Sequence, residues 1–122
     1  MATILILDAE RDSRLLFKRF LEQEGYAVIA CDDQRHALDL AGTNKVDLAI
    51  VNADTGRRNT TPVGQLLKTE NKGLRILVIT DFLHDECKQI MSEQEVLLRP
   101  VEMETVGARV RELLRSPPPS GR

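Results

Sequence analysis

The chain has 122 residues, which suffices for one domain with a substantial core and leaves no room for a second catalytic module. Its formal net charge is −2, from 17 Lys and Arg against 19 Asp and Glu, and these interspersed charges argue against nucleic-acid binding. The apolar runs are strand-sized and the first residues carry no signal-peptide pattern, so we predict no membrane span and expect a cytoplasmic location.

Five apolar runs alternate with helical segments along the chain. The predicted strands are Thr3–Leu7, Tyr26–Cys31, Val46–Val51, Leu74–Thr80 and Glu95–Leu98. The predicted helices cover residues 11–24, 34–41, 62–70, 84–92 and 102–115, with Gly25 and Gly42 closing the first two. Residues 116–122 contain three consecutive prolines and are expected to form a tail or a linker. The domain is therefore assigned to residues 1–115.

The first and last helices each carry an apolar stripe that predicts a buried face. In the first helix the stripe consists of Leu16, Phe17, Phe20 and Leu21. In the last helix it consists of Met103, Val106, Val110, Leu113 and Leu114, and Gly107 lowers the helix propensity of that segment.

Strict alternation of strands and helices, with strands that are apolar throughout, predicts an α/β domain. Such strands form a doubly wound parallel sheet that helices cover on both faces. Five strands favour the order 2-1-3-4-5, as in flavodoxin-like folds, with a crevice at the carboxyl ends of strands 1 and 3. The residues at the strand ends are thus the candidate functional residues.

Polar residues follow four of these strands. They are Asp8 and Glu10 after strand 1, Asn52 and Asp54 after strand 3, Thr80 and Asp81 after strand 4, and Arg99 with Pro100 after strand 5. With the apolar runs before them, these residues resemble the receiver domain of two-component response regulators over residues 1–115. That resemblance implies the same parallel-sheet fold and a role in signal transduction.

The resemblance also implies a phosphorylation pocket, but this chain lacks two of its acids. Receivers place a pair of acids after strand 1 to hold magnesium; here Asp8 matches the first and Ala9 replaces the second. The phosphorylated aspartate of the family is replaced by Asn52. An amide is neither a phosphoryl acceptor nor an anionic metal ligand. We therefore expect weak or absent magnesium binding, no other cofactor or metal, and no enzymatic activity.

The switch residues of the family are matched in part. Thr80 matches the hydroxyl residue that contacts the phosphoryl group, and Arg99 replaces the lysine that precedes a cis proline, here Pro100. Val96 occupies the position of the rotating aromatic residue. Asp8 and Arg99 together carry no formal net charge. We hypothesise that they form an ion pair, assisted by Asn52 and Thr80, that replaces the phosphoryl-dependent arrangement.

The leading interpretation is a degenerate pseudo-receiver that binds other proteins without being phosphorylated at the usual position. The expected partners are a kinase, an output domain or another receiver, with no nucleic acid and no membrane. The expected surface is the face formed by the predicted helix 84–92, strand 5 and the last helix, through which a homodimer is also possible.

Two alternatives stay open at this point. One is an active phosphorelay receiver that uses Asp54 or Asp8, or in which Asn52 is an isolated substitution; the loss of the acid at Ala9 argues against the latter. The other is a small flavodoxin-like ligand-binding domain, although no glycine-rich phosphate loop supports it. For Asp8 a helix-capping role weighs equally with a pocket role, and Asp54 also fits a solvated turn.

Overall fold

The computed structural model describes residues 1–52, 67, 69–81 and 95–115. Its elements are β1 (Thr3–Asp8), α1 (Arg11–Gln23), β2 (Ala27–Cys31), α2 (Gln34–Thr43), β3 (Leu48–Asn52), β4 (Arg75–Thr80), β5 (Val96–Leu98) and the C-terminal helix (Met103–Arg115). Most of the predicted helix 62–70, the whole predicted helix 84–92 and the tail 116–122 lie outside the described residues. Across the described ranges, no helix is long and apolar enough to cross a membrane.

The five strands form one sheet in the order β2-β1-β3-β4-β5, and every neighbouring pair is parallel. The predicted fold class and strand order are confirmed. In the register between β1 and β3, Asp8 is paired with Asn52. Both residues are the last of their strands, one position beyond the predicted strand ends, so both side chains lie at the carboxyl edge of the sheet.

Two apolar cores lie on opposite faces of the sheet, because successive residues of a strand point to opposite sides. On one face, Leu5 and Leu7 of β1 pack with Ala37 and Ala41 of α2. On the other face lie side chains from β1, α1 and the C-terminal helix, among them Ile4, Ile6, Phe17, Leu21, Val106 and Val110. The central strands are buried on both faces, which explains their continuous apolar sequences.

Helix α1 differs from its predicted apolar stripe at Leu16. Phe17 and Leu21 are buried, whereas Leu16 is 55% exposed. A helix turns by about 100° per residue, so Leu16 lies well to the side of the direction in which Phe17 meets the sheet. The prediction that Leu16 belongs to the core is therefore wrong.

Gly25 ends α1 as predicted. It has a φ of 97°, a left-handed conformation that favours glycine. Its N–H donates to the carbonyl of Glu22 at 3.0 Å, and the N–H of Tyr26 donates to the carbonyl of Leu21 at 3.2 Å. This pair of bonds is a Schellman motif, which satisfies carbonyl groups that the helix end leaves without partners.

Helix α2 continues past its predicted end at Gly42. It runs to Thr43, and the side-chain amide of Asn44 donates to the carbonyl of Leu40 at 3.0 Å. Glycine within a helix costs only about 1 kcal/mol, which the remainder of the helix can offset. The prediction that Gly42 closes this helix is wrong, and the helix ends two residues later than predicted.

Gly107 allows α1 and the C-terminal helix to approach closely. A Cβ atom on Gly107 would lie 3.0 Å from Cε2 and 3.2 Å from Cζ of Phe20. These distances are shorter than ordinary carbon–carbon contacts. Glycine lowers the helix propensity at this position, and its missing Cβ atom leaves room for the Phe20 ring between the two helices.

Candidate functional site

Asp8 and Asn52 form the centre of the strand-end site. Asp8 is 2% exposed and is the buried charged residue of the described part of the chain. Its Oδ1 accepts the backbone N–H of Glu10 at 2.9 Å, and its Oδ2 accepts Nδ2–H of Asn52 at 2.8 Å. The same carboxylate thus organises the turn that leads into α1 and takes part in the pocket.

Asn52 uses both ends of its amide. Its Nδ2 donates to Asp8 and also to Oγ of Ser13, at 3.0 Å. Its Oδ1 accepts a hydrogen bond from Nη2 of Arg99. A carboxylate at this position would have no donor to offer to Asp8 or Ser13. The amide is therefore the group that connects the buried carboxylate with the guanidinium.

Arg99 has a different ionic partner from the one expected. Its Nη1 lies 3.2 Å from Oδ1 of Asp81, which follows β4. The predicted pairing of Arg99 with Asp8 is replaced by an indirect connection through Asn52. The reason is geometric: Asn52 lies opposite Asp8 in the register of β1 and β3 and occupies the space between the two charges.

The backbone holds Arg99 at this edge of the sheet. Its N–H donates to the carbonyl of Thr80 at 2.8 Å, which extends the pairing of β4 and β5 by one residue. The peptide bond between Arg99 and Pro100 is cis, as the resemblance implied. Thr80 is half-buried at the end of β4, next to Asp81.

A second arginine supports Asp8 from α1. Nη1 of Arg14 donates to the main-chain carbonyl of Asp8 at 2.9 Å. Two carboxylates, Asp8 and Asp81, are thus accompanied by two guanidinium groups, Arg14 and Arg99. These four side chains together carry no formal net charge.

The remaining predicted site residues contribute less. Ala9 is exposed and supplies no carboxylate. Val96 is half-buried, and its main-chain carbonyl accepts Nη1–H of Arg109 from the C-terminal helix at 3.1 Å. Asp54 lies outside the described residues. Within the described ranges, no group of three or more His, Cys, Asp or Glu residues could hold a metal ion.

Sequence reasoning missed three contributors to this site. Ser13 and Arg14 lie in the first turns of α1, and Asp81 was noted only as a strand-end residue. A helix that follows β1 directly brings its first turns to the same edge of the sheet, which was the available signal for Ser13 and Arg14. No pattern in the sequence indicated that Asp81 would pair with Arg99.

Cys31, at the end of β2, is a buried thiol. Burial raises its pKa to about 11, and the nearby Asp33 and Asp32 carboxylates act in the same direction. Its Sγ lies 3.4 Å from the carbonyl oxygen of Ile6, to which it donates. A thiol with a raised pKa is a poor nucleophile at neutral pH, so its contribution is structural.

Comparison with known proteins identifies the family of this chain. The response regulator receiver domain family matches residues 4–110. Response regulator MprA of Mycolicibacterium vanbaalenii is 30% identical over 119 residues, and the match covers 95% of this chain and 52% of that protein. The chain thus spans about half the length of the curated relatives it matches.

Solved structures show the same fold. A two-component response regulator from Clostridium difficile has a TM-score of 0.80 at 21% identity, with 94% of this chain and 97% of that chain covered. The chemotaxis protein CheY4 of Vibrio cholerae has a TM-score of 0.76 at 20% identity, with 93% and 98% covered. The family match, the relatives and the fold agree, and the chain belongs to the response regulator receiver domain family.

Proposed function

We propose that this receiver domain is not phosphorylated at Asn52 and signals through phosphorylation-independent contacts with other proteins. The observation that carries the proposal is the double hydrogen bonding of the Asn52 amide, which donates to Asp8 and accepts from Arg99. The position at which the family accepts a phosphoryl group is occupied by a side chain that already connects the two charged residues around it.

The chemistry of the amide supports this proposal. A neutral amide oxygen is a poor nucleophile, so an acyl phosphate at Asn52 is not expected. Its N–H donor also occupies Oδ2 of Asp8, one of the two carboxylate oxygens that could bind a divalent cation. Without the cation, phosphoryl transfer would lack its main electrostatic stabilisation. We therefore propose that the domain needs neither magnesium nor another cofactor, and that it is not an enzyme.

The proposed output is protein binding by the surface around β5 and the C-terminal helix. Leu98, at the end of β5, is 52% exposed. Val101 and Met103, which follow it closely in the sequence, are partly buried. Together these apolar side chains are the candidate contact residues of this surface. The proposed partners are a kinase, an output domain or another receiver, including a second copy of this chain.

The cytoplasmic location expected from the sequence remains part of the proposal. An unrelated ligand-binding domain is not proposed, because the family match covers residues 4–110. Asp54 lies outside the described residues, and the test below distinguishes a receiver that is phosphorylated at Asp54 from one that is not phosphorylated.

The test is an amide NMR titration with magnesium and beryllofluoride, an anion that mimics a phosphoryl group. The native chain is compared with a double variant, Ala9→Asp with Asn52→Asp, that restores both missing acids. We expect the native spectrum to stay unchanged and the spectrum of the double variant to shift. A response of the native chain would overturn the proposal and would identify another carboxylate, with Asp54 examined first, as the acceptor.

A further inference from the structure

We infer that Asp81 is a positioning residue that keeps Arg99 directed toward Asn52 and withholds its positive charge from a phosphoryl group. The inference deepens the proposed function and rests on it. It adds a second obstacle to phosphorylation, beyond the missing acids at Ala9 and Asn52, at a residue to which the family resemblance assigned no role.

The geometry of the guanidinium carries the first step. Nη1 of Arg99 lies 3.2 Å from Oδ1 of Asp81, and Nη2 donates to Oδ1 of Asn52. The two terminal nitrogens thus point to different strand ends, β4 and β3. A planar guanidinium that is held at both terminal nitrogens has a defined orientation, because the two nitrogens belong to one rigid group and cannot turn independently. Asp81 therefore determines on which side of Asn52 the positive charge lies.

The electrostatics carry the second step. Asp81 follows Thr80 directly, and Thr80 is the residue whose counterpart contacts the phosphoryl group in the family. An anion that enters between Thr80 and Arg99 would approach the Asp81 carboxylate and would meet a guanidinium whose charge is already balanced. The anion and the Asp81 carboxylate would repel each other, and the partial exposure of Asp81 to solvent weakens this repulsion without removing it. The side chain of Asp81 is 34% exposed and that of Arg99 is 23% exposed.

The exposure of Asp81 also makes the inference testable, because replacing it should not disturb the core. Asp81→Asn keeps the size of the side chain and removes its charge. Asp39→Asn is a matched control, since Asp39 is an exposed acid on α2 whose replacement changes the net charge equally. The thermal midpoint of each variant shows whether the fold is retained.

The experiment uses the double variant Ala9→Asp with Asn52→Asp as the responsive background. Beryllofluoride is titrated at constant magnesium, and the half-saturating concentration is read from amide NMR shifts. Adding Asp81→Asn is expected to lower that concentration by about fivefold, the factor set by the upper range for a partly exposed ion pair. Adding Asp39→Asn is expected to leave it unchanged.

Equal half-saturating concentrations of beryllofluoride for the variants with Asp81→Asn and with Asp39→Asn would overturn the inference and would leave the proposed function standing. If the double variant binds no beryllofluoride with or without Asp81→Asn, the test is made with Asp81→Asn as a single change in the native chain. In that variant inorganic phosphate is expected to shift the side-chain NMR signals of Arg99. No such shift would also overturn the inference. Only a response of the native chain to beryllofluoride would contradict the proposed function.

Discussion

Asp8 and Asn52 are partners in the register of β1 and β3, and their side chains are joined by a hydrogen bond of 2.8 Å from Nδ2 to Oδ2. The bond connects residues 44 positions apart and lies where the family places a carboxylate and a metal ion. The buried carboxylate is thus satisfied by a donor of the protein itself.

Replacing Asn52 by aspartate alone is expected to destabilise the domain in the absence of magnesium. The change places two carboxylates in contact and removes the donor to Asp8, at a cost of about 1–3 kcal/mol in the free energy of unfolding. Urea denaturation at neutral pH, with and without magnesium, measures the loss. Magnesium is expected to recover part of it by binding between the two carboxylates.

The pH dependence of the same variant provides a control. Like charges raise a carboxyl pKa in the folded state, so the folded protein keeps a proton that the unfolded chain has released. The penalty is therefore expected at neutral pH and should shrink at acidic pH, where one of the two carboxylates binds a proton. Asn52→Ala removes the hydrogen bonds without adding charge, and its penalty should be similar at both pH values.

Replacing Arg99 by alanine is expected to lower the free energy of unfolding by about 1–2 kcal/mol. The change removes the donor to Oδ1 of Asn52 and the cation beside Asp81. Arg99→Lys should recover only part of the loss, because an ammonium group cannot reproduce the planar pair of contacts. Urea denaturation of the three proteins checks the order. A variant Arg99→Ala as stable as the native chain would show that the connection contributes nothing to stability.

Alkaline destabilisation is expected from Cys31. Burial raises its pKa in the folded state from the ordinary 9.0 to about 11, so the unfolded thiol ionises first as the pH rises. Between these two values the unfolded state binds fewer protons, and stability should fall by up to about 1.4 kcal/mol per pH unit. Denaturation from pH 8 upward measures the slope. In Cys31→Ala the corresponding slope should be smaller.

Two helical glycines are expected to respond differently to alanine. A Cβ atom at Gly42 has no atom within 4 Å, so Gly42→Ala should raise the free energy of unfolding by about 0.5–1 kcal/mol through helix propensity. At Gly107 the Cβ would meet the Phe20 ring at 3.0 Å, so the same change should yield a smaller gain or a loss. Gly107→Val should destabilise by roughly 1–3 kcal/mol, because overpacking moves the ring. Equal gains at both glycines would contradict the close approach of the two helices.

The amino-acid sequence determined the fold and the absence of two acidic residues from the positions that match the family's pocket. Continuous apolar runs identify the strands and a periodicity of 3.6 residues identifies the helices, and parallel connections leave few possible sheet orders. The absence of acids at Ala9 and Asn52 is a matter of residue identity and needs no coordinates. The end of α1 at Gly25 was equally local, because a left-handed conformation favours that residue.

Only the tertiary structure decided which side chains meet. The pairing of Arg99 with Asp81, the bond from Asn52 to Ser13 and the support of Asp8 by Arg14 depend on distances near 3 Å between residues on different elements. Sequence periodicity indicates the face on which a residue lies, but it does not resolve neighbours on that face. Leu16 and Gly107 show the same limit, since their surroundings are set by how two helices pack on the sheet.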